Sequence, residues 1–161
     1  MTRLGVFTQP RFAALIAMLT ALLIAAIPAG AALAQANLTA KAPDLVPIPS
    51  RMLQGTVSVR NSGAAAAGQS IATVICKKIG EGACAESPAM ARFTDPAYPD
   101  AVVVAVPALS VGKVYNFKLP FWDALVWPAG KFRFTVRADA GGTVAESNEG
   151  NNKKSAVMTK P

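Results

Sequence analysis

The stretch "KFRFTVRAD", residues 131–139, alternates apolar and charged side chains with a period of two. Its apolar positions are Phe132, Phe134, Val136 and Ala138. Its intervening positions are polar and mostly basic, namely Lys131, Arg133, Thr135 and Arg137. Because successive side chains of a strand point to opposite faces, this pattern predicts a strand with one buried and one exposed face. A buried sheet face needs a second layer to cover it.

Further segments on both sides of this stretch have the composition of short strands. They are residues 43–50, 52–63, 70–78, 101–109, 113–120 and 153–160. Prolines restrict the first of them to a sheet edge or to the start of the domain. Turn signals rich in Gly, Pro and Asn separate the others. Seven short strands without a convincing amphipathic helix predict an all-β fold, a seven-stranded immunoglobulin-like β-sandwich.

The first 34 residues have the features of a secretory signal peptide. Arg3 and Arg11 precede an apolar run over residues 12–34 that ends in Ala-x-Ala. Cleavage is expected after Ala34, and the "AQA" of residues 34–36 is a second candidate. The alternative is an uncleaved membrane anchor, because the run approaches the ~20 residues that span a bilayer. We expect cleavage, and therefore a secreted or periplasmic protein.

Cleavage would leave a flexible leader, residues 35–42, and a single domain, residues 43–161. Loss of Arg3 and Arg11 takes the net charge from +7 to +5. This modest basic excess is weak evidence for nucleic-acid binding. No later segment is long and apolar enough to span a bilayer. We therefore expect neither a nucleic-acid partner nor a membrane span in the mature chain.

The two cysteines, Cys76 and Cys84, are close together in the sequence. Outside the cytoplasm a disulfide is the expected state of such a pair. A loop this short gains only about 2–3 kcal/mol from closure, so the bond would staple a local hairpin. The alternative is a pair of reactive thiols, although the spacing is not that of a Cys-x-x-Cys redox motif.

The chain contains no histidine. This excludes Ser-His-Asp and Cys-His catalysis and zinc sites with histidine ligands. Paired carboxylates could still serve a small hydrolase, but the chain has only nine acidic residues and most stand alone between turns. We therefore expect a non-catalytic protein.

The segment "VRADAGGTVAESNEGNN", residues 136–152, concentrates side-chain oxygens in a few positions. One interpretation is a calcium site, because hard cations prefer six to eight oxygen ligands. The calcium candidates are Asp139, Glu146, Glu149 and Asn151, together with Asn148 and Asn152. The other interpretation is mechanical, since Asn, Asp and Glu side chains accept backbone hydrogen bonds and so form turns. We favour the mechanical interpretation and expect no cofactor.

Two features are candidate partner surfaces. Trp122 and Trp127, in the aromatic connection of residues 121–130, could form an exposed platform for a sugar ring or a partner chain. The alternative is that at least one of them plugs the open end of the sandwich. Trp127 is expected to face the core, whereas both positions stay open for Trp122. Lys131, Arg133 and Arg137 form a basic stripe, which is either a solvated face or a site for acidic polysaccharide or lipid headgroups.

Four short motifs follow one another along the chain. They are an Asn-x-Gly strand end, a Pro-x-Leu-x-x-Gly turn, an Ala-Gly pair opening a strand that closes in Ala-Asp, and a Val-x-Glu-x-Asn-Glu-x-Asn-Asn signature. Their residues are Asn61 and Gly63; Pro107, Leu109 and Gly112; Ala129, Gly130, Ala138 and Asp139; and Val144, Glu146, Asn148, Glu149, Asn151 and Asn152. In this order the motifs resemble the bacterial cell-adhesion-related domain family known as CARDB, and the resemblance runs from about residue 43 to residue 159.

The resemblance implies an immunoglobulin-like sandwich that binds a partner or acts as a spacer. The cysteine-containing insertion, residues 76–84, and the Pro-rich connection, residues 86–100, depart from the plain family pattern. We expect an exported, non-catalytic adhesion-type module at the bacterial cell envelope, with an envelope protein or a polysaccharide as partner. The alternatives are an accessory structural domain of an envelope complex and a small envelope enzyme or inhibitor that uses the Trp122 region.

Overall fold

The computed structural model describes residues 41–161 of the chain. The predicted signal peptide, residues 1–34, lies outside the described residues, as does most of the predicted leader. Among the described residues, no helix combines the length and the apolar composition needed to cross a membrane.

Residues 41–161 form seven strands in two sheets. In chain order the strands are β1 (Leu45–Pro47), β2 (Thr56–Asn61), β3 (Ser70–Ile79), β4 (Val102–Val106), β5 (Val114–Lys118), β6 (Gly130–Arg137) and β7 (Lys153–Lys160). One sheet has the order β1-β2-β5 and the other the order β4-β3-β6-β7, and every paired strand is antiparallel to its neighbour. Buried side chains from both sheets form one core. The predicted all-β sandwich is confirmed.

Short 3-10 helices lie in the connections between strands, at Pro49–Gln54, Pro88–Phe93, Trp122–Ala124 and Glu149–Asn151. The first of these replaces the start of the strand predicted for residues 52–63, which begins only at Thr56. Pro49 favours a helical turn because its ring fixes φ and it has no N–H to give to a sheet. Gly55, with φ 72°, ends the turn in the left-handed conformation.

Strand β6 carries the centre of the core. Phe132, Phe134 and Val136 are at most 1 % exposed, whereas Lys131 and Arg133 on the opposite face are exposed. Burial of each phenylalanine contributes roughly 1.5–3 kcal/mol. The alternation in the sequence therefore separates the apolar and charged faces of this strand as predicted.

The aromatic turn after β5, within the aromatic connection of residues 121–130, also packs into the core. The Trp122 and Trp127 rings lie 5.4 and 5.6 Å from the Phe134 ring, centroid to centroid, and 5.1 Å from each other. Trp122 is only 9 % exposed, so of the two alternatives for this residue the structure has the one in which it plugs the end of the core and forms no exposed platform. The reason is the 3-10 turn that it opens, in which its N–H donates to the Leu119 carbonyl (3.1 Å) and its ring is directed inward against Gly55.

Trp127 is half-buried and packs against the core. Its ring meets the Phe132 ring edge to face at a centroid distance of 5.0 Å. The two tryptophans therefore close one end of the core together, with Trp122 in the deeper position.

We predict that Gly55→Ala lowers the free energy of unfolding by about 2–5 kcal/mol. A Cβ at residue 55 would lie 2.0 Å from the Trp122 Cγ, and the backbone there has a positive φ of 72°. Strain and overpacking each contribute about 1–3 kcal/mol. Urea unfolding followed by tryptophan fluorescence measures the loss.

Gly68→Ala is the matched control, because a Cβ at that residue meets no atom within 4 Å. It should change stability by less than about 1 kcal/mol. Equal stability of the Gly55→Ala variant and the wild-type protein would contradict the described packing of Trp122.

Candidate functional site

The connection between β6 and β7 is organised around the buried carboxylate of Asp139. One carboxylate oxygen accepts hydrogen bonds from the Thr143 N–H (3.1 Å) and hydroxyl (3.0 Å), and the other accepts from the Val144 N–H (2.9 Å). The backbone of Asp139 has φ 39°, in the left-handed region that Asp tolerates better than most residues. Asp139 therefore holds a tight turn immediately after β6.

Glu146 connects this loop to the other sheet. One of its carboxylate oxygens accepts a short hydrogen bond from the N–H of Leu45, the first residue of β1. The other accepts from the Asn152 side-chain amide at 3.0 Å. Glu149 accepts from the same amide and from the Glu146 N–H, both at 3.0 Å. The two glutamates and Asn152 therefore form one hydrogen-bonded group between β1 and the start of β7.

Neighbouring residues of the loop contact the segment that precedes β1. The Ser147 N–H donates to the Pro43 carbonyl at 2.8 Å. The Asn151 side-chain amide donates to the Asp44 carboxylate at 2.9 Å. The loop thus satisfies polar groups on consecutive residues of the segment that enters β1.

Asn61, at the end of β2, holds the same segment from the other side. Its fully buried side chain accepts from the Asp44 N–H at 3.2 Å and donates to the Leu109 carbonyl at 2.9 Å. Close approach of the segment requires glycine at residue 63, because a Cβ there would lie 2.4 Å from the carbonyl carbon of Pro43. We call the contacts of Asn61, Gly63, Glu146 and Asn151 with residues 42–45 the clasp.

Burial raises the pKa of the Glu146 carboxyl above its ordinary value of 4.5. The hydrogen bonds from the Leu45 N–H and the Asn152 amide lower this pKa by less, and the charges of Glu149 and Asp139 raise it further. The folded protein then holds the Glu146 proton more tightly than the unfolded chain does. The stability gained from the protonated form is present below the ordinary pKa and is lost as the pH rises through the raised pKa.

Most of the oxygens proposed as calcium ligands already accept hydrogen bonds. Both carboxylate oxygens of Asp139, Glu146 and Glu149 have donors. Within residues 41–161, the amide oxygens of Asn151 and Asn152 are buried without a donor, and no cluster of three or more His, Cys, Asp or Glu side chains has metal-binding geometry. The hydrogen bonds support the mechanical interpretation of this loop, and the choice between it and a calcium site stays a prediction for experiment.

Cys76 and Cys84 form a disulfide, with their Cα atoms 6.2 Å apart. The bond closes a hairpin that follows β3, where Gly80 and Gly82 adopt positive φ values of 96° and 99°. Because only glycine adopts such values without strain, these two residues allow the chain to fold back over so short a loop. The disulfide therefore staples a local hairpin.

The outer face of the four-stranded sheet is basic. Its exposed cations are Lys77, Lys131, Arg133, Arg137 and Lys153, which we call the basic face. The strand register places Lys77 directly opposite Arg133, and Lys153 directly opposite Arg137. All nine acidic residues of the chain lie outside the strands, so this sheet carries no carboxylate of its own.

The sequence predicted part of the basic face and part of the clasp. It grouped Lys131, Arg133 and Arg137 on one face, and the structure places all three there, but it did not assign Lys77 and Lys153 to the same face. Those two residues join the face through strand pairing, for which the sequence carries no local signal. Likewise, the Asn-Ser-Gly turn signal at residues 61–63 indicated a strand end but not the contacts of Asn61 with the segment before β1.

We predict that Glu146→Ala lowers the free energy of unfolding by about 1–3 kcal/mol, because the Leu45 N–H would lose its acceptor. Glu146→Gln should lose less, since an amide oxygen can still accept from that N–H. Glu81→Ala, in the exposed hairpin, is the control and should leave stability within about 0.5 kcal/mol of the wild-type value. Chemical denaturation measures all three. A loss in Glu146→Ala no larger than that in the control would contradict the clasp.

Calcium should leave the melting temperature unchanged. A site with a Kd of about 1 mM would raise the free energy of unfolding by about 1.4 kcal/mol at about 10 mM calcium, which is a readily measured shift for a domain of this size. Scanning calorimetry in calcium chloride, with magnesium chloride as the control, measures it. A rise with calcium alone would show that the protein binds the ion and would count against the purely mechanical interpretation of the loop.

Comparison with known families identifies one whose sequence model matches most of the chain. The sequence model of the CARDB family matches residues 36–156. The chain is similar to the crystal structure of a CARDB domain from Pyrococcus furiosus, determined in complex with di-metal ions, with 16% sequence identity and a TM-score of 0.42. That match covers 74% of this chain and 94% of the other chain. Curated proteins gave no match. Because the family match covers most of its length, the chain belongs to the CARDB family.

Proposed function

We propose that this protein is an exported binding module of the bacterial cell envelope that holds an acidic polysaccharide on its basic face. CARDB is a family of adhesion-related, non-catalytic domains, which supports a binding role. The basic face supplies the chemistry that such a ligand needs. Export rests on the signal-peptide features of residues 1–34 and is consistent with the disulfide between Cys76 and Cys84, since such bonds persist outside the cytosol.

The observation that carries the proposal is the pairing of like charges across the sheet. Lys77 faces Arg133, and Arg137 faces Lys153, in directly opposed positions. Such pairs destabilise a sheet, because their Cβ atoms are only about 4.5–5.5 Å apart. Residues that lower the stability of the fold are expected at functional sites. An anionic ligand laid across these pairs would remove the repulsion.

The spacing of the cations suits a polymer better than a single small anion. Alternate residues along a strand are about 6.6 Å apart, and neighbouring strands about 4.8 Å apart. Cations at Lys131, Arg133 and Arg137 therefore form a row along β6, and Lys77 and Lys153 widen it on the two flanking strands. A chain of uronic-acid residues carries carboxylates at repeated intervals and can contact several of these cations together.

Assembly by strand addition is less favoured at the β7 edge. Strand β7 lies at the end of its sheet and carries Lys153, Lys154 and Lys160. Lysines on an edge strand discourage pairing with a strand of another chain. This composition fits a module that presents its sheet face rather than this edge.

We predict that the double variant Arg133→Gln and Arg137→Gln binds polygalacturonate about 5- to 30-fold more weakly than the wild-type protein does. Each surface ion pair contributes up to about 1 kcal/mol, and 1.4 kcal/mol is a tenfold change in affinity. Binding should also weaken as the salt concentration rises, because screening shortens the reach of exposed charges. Isothermal titration calorimetry in low and high salt measures both effects.

The control is the double variant Arg60→Gln and Lys113→Gln, which removes the same charge from exposed residues outside the basic face. It should bind polygalacturonate with nearly wild-type affinity, and neutral dextran should not bind to any of the proteins. Equal losses of affinity in the two double variants would mean that net charge alone causes the attraction. That result would refute a specific role of the basic face. Binding to anionic vesicles but not to polygalacturonate would replace the polysaccharide with a lipid surface.

A further inference from the structure

A cavity of about 760 Å³ opens between the disulfide hairpin and the aromatic turn after β5. Its apolar floor contains Met52, Trp122 and Phe134, which belong to the core. Half-buried apolar groups form its walls, among them Trp127 and Met90. The volume lies in the range of pockets that hold small organic ligands, about 300–1,000 Å³.

Part of the walls comes from two connecting segments, one closed by the disulfide and the other rich in proline. The disulfide between Cys76 and Cys84 borders the cavity, and the Pro-rich connection contributes Met90 and Pro99. Phe93, in the same connection, packs against Phe117 and Phe121 at centroid distances of 5.9 and 5.5 Å and so anchors this wall to the sandwich. The cavity is therefore bounded by packed elements on both sides.

Lys78 places a positive charge on the wall of this cavity. It lies directly opposite Phe132 in the pairing of β3 with β6, so it occupies the core-facing register of the sheet, and it is half-buried. Its Nζ lies 6.0 Å from the centroid of the Phe132 ring. Its stem passes close to Gly130, where a Cβ would lie 2.9 Å from the lysine Cε. Glycine at residue 130 thus leaves room for this lysine.

The charge of Lys78 has no acidic partner. All nine acidic residues of the chain fall within residues 41–161, and over that range the only salt bridge joins Lys118 to Asp123. Glu86 and Asp100 also border the cavity, as does Lys77, but all three are exposed to solvent, which screens their charges. Lys78 is therefore the charge best placed to act on a ligand inside the cavity.

We propose that this cavity binds a small aromatic carboxylate, with the ring against Trp127 and the carboxylate against the Lys78 ammonium. Aromatic rings associate edge to face or offset, and the sulfur atoms of methionine also favour ring contacts. Both kinds of partner line the cavity, in the tryptophans and in Met52 and Met90. A half-buried lysine next to this apolar surface provides the counter-ion that a carboxylate needs. This site shares only Lys77 with the outer basic face and goes beyond polysaccharide binding.

The test is calorimetric titration of the full chain with 2-naphthoate and with its uncharged isostere, 2-naphthamide. The wild-type protein should bind 2-naphthoate about tenfold more tightly than 2-naphthamide, because a hydrogen bond to a charged group is worth about a factor of ten or more. Lys78→Met, which keeps the apolar stem, should abolish this preference for 2-naphthoate. Lys113→Met removes the same charge at an exposed turn and should leave the preference unchanged.

Tryptophan fluorescence locates the bound molecule without any variant. The chain has two tryptophans, and both border the cavity, so 2-naphthoate bound there must change their emission. The double variant Arg133→Gln and Arg137→Gln should bind 2-naphthoate like the wild-type protein. The proposal is overturned by equal affinities for the two naphthalenes, by unchanged tryptophan emission on binding, or by an equal loss in this double variant and in Lys78→Met. If Lys78→Met does not fold, the comparison of the two naphthalenes and the fluorescence measurement decide the question on the wild-type chain.

Discussion

The hydrogen bond from the Leu45 N–H to the Glu146 carboxylate is the polar contact that ties the first strand of one sheet to the loop before the last strand of the other, across the shared apolar core. The residues are 101 positions apart, one opening an edge strand and the other lying in the loop before the last strand. Strand β1 has only three residues, so its own ladder satisfies few of its backbone groups. Asn61 accepts from the adjacent N–H of Asp44. Two side chains on opposite sides therefore fix the path of this strand.

Strand β6 links the core to both proposed binding surfaces. Its inner face contributes Phe132 and Phe134 to the core, and its outer face contributes cations to the basic face. At its start, Gly130 leaves room for Lys78 on the wall of the cavity. Because alternate residues point to opposite faces, a polyanion outside would contact Arg133 and Arg137, whereas a small anion inside would contact Lys78. Lys77 alone borders both surfaces.

The strands were predictable from the sequence because a period of two depends only on neighbouring residues. Positions decided by long-range pairing were not. Lys77 reaches the basic face through its register with β6, and Lys78, next to it in sequence, faces the core. The sequence left the position of Trp122 open, because the direction of its ring depends on a 3-10 turn and on contact with Gly55. The amide-rich loop was recognised as a turn, but nothing in the sequence indicated that the Glu146 carboxylate contacts the backbone of Leu45.

Hydrogen exchange at the Leu45 amide tests the clasp most directly, since it reports on that N–H alone. In the wild-type protein this amide should exchange slowly, although it opens an edge strand. In Glu146→Ala it should exchange about tenfold faster or more, in line with the loss of an acceptor worth about 1–3 kcal/mol. Rapid exchange of the Leu45 amide in the wild-type protein, or equal protection of this amide in the variant, would contradict the clasp.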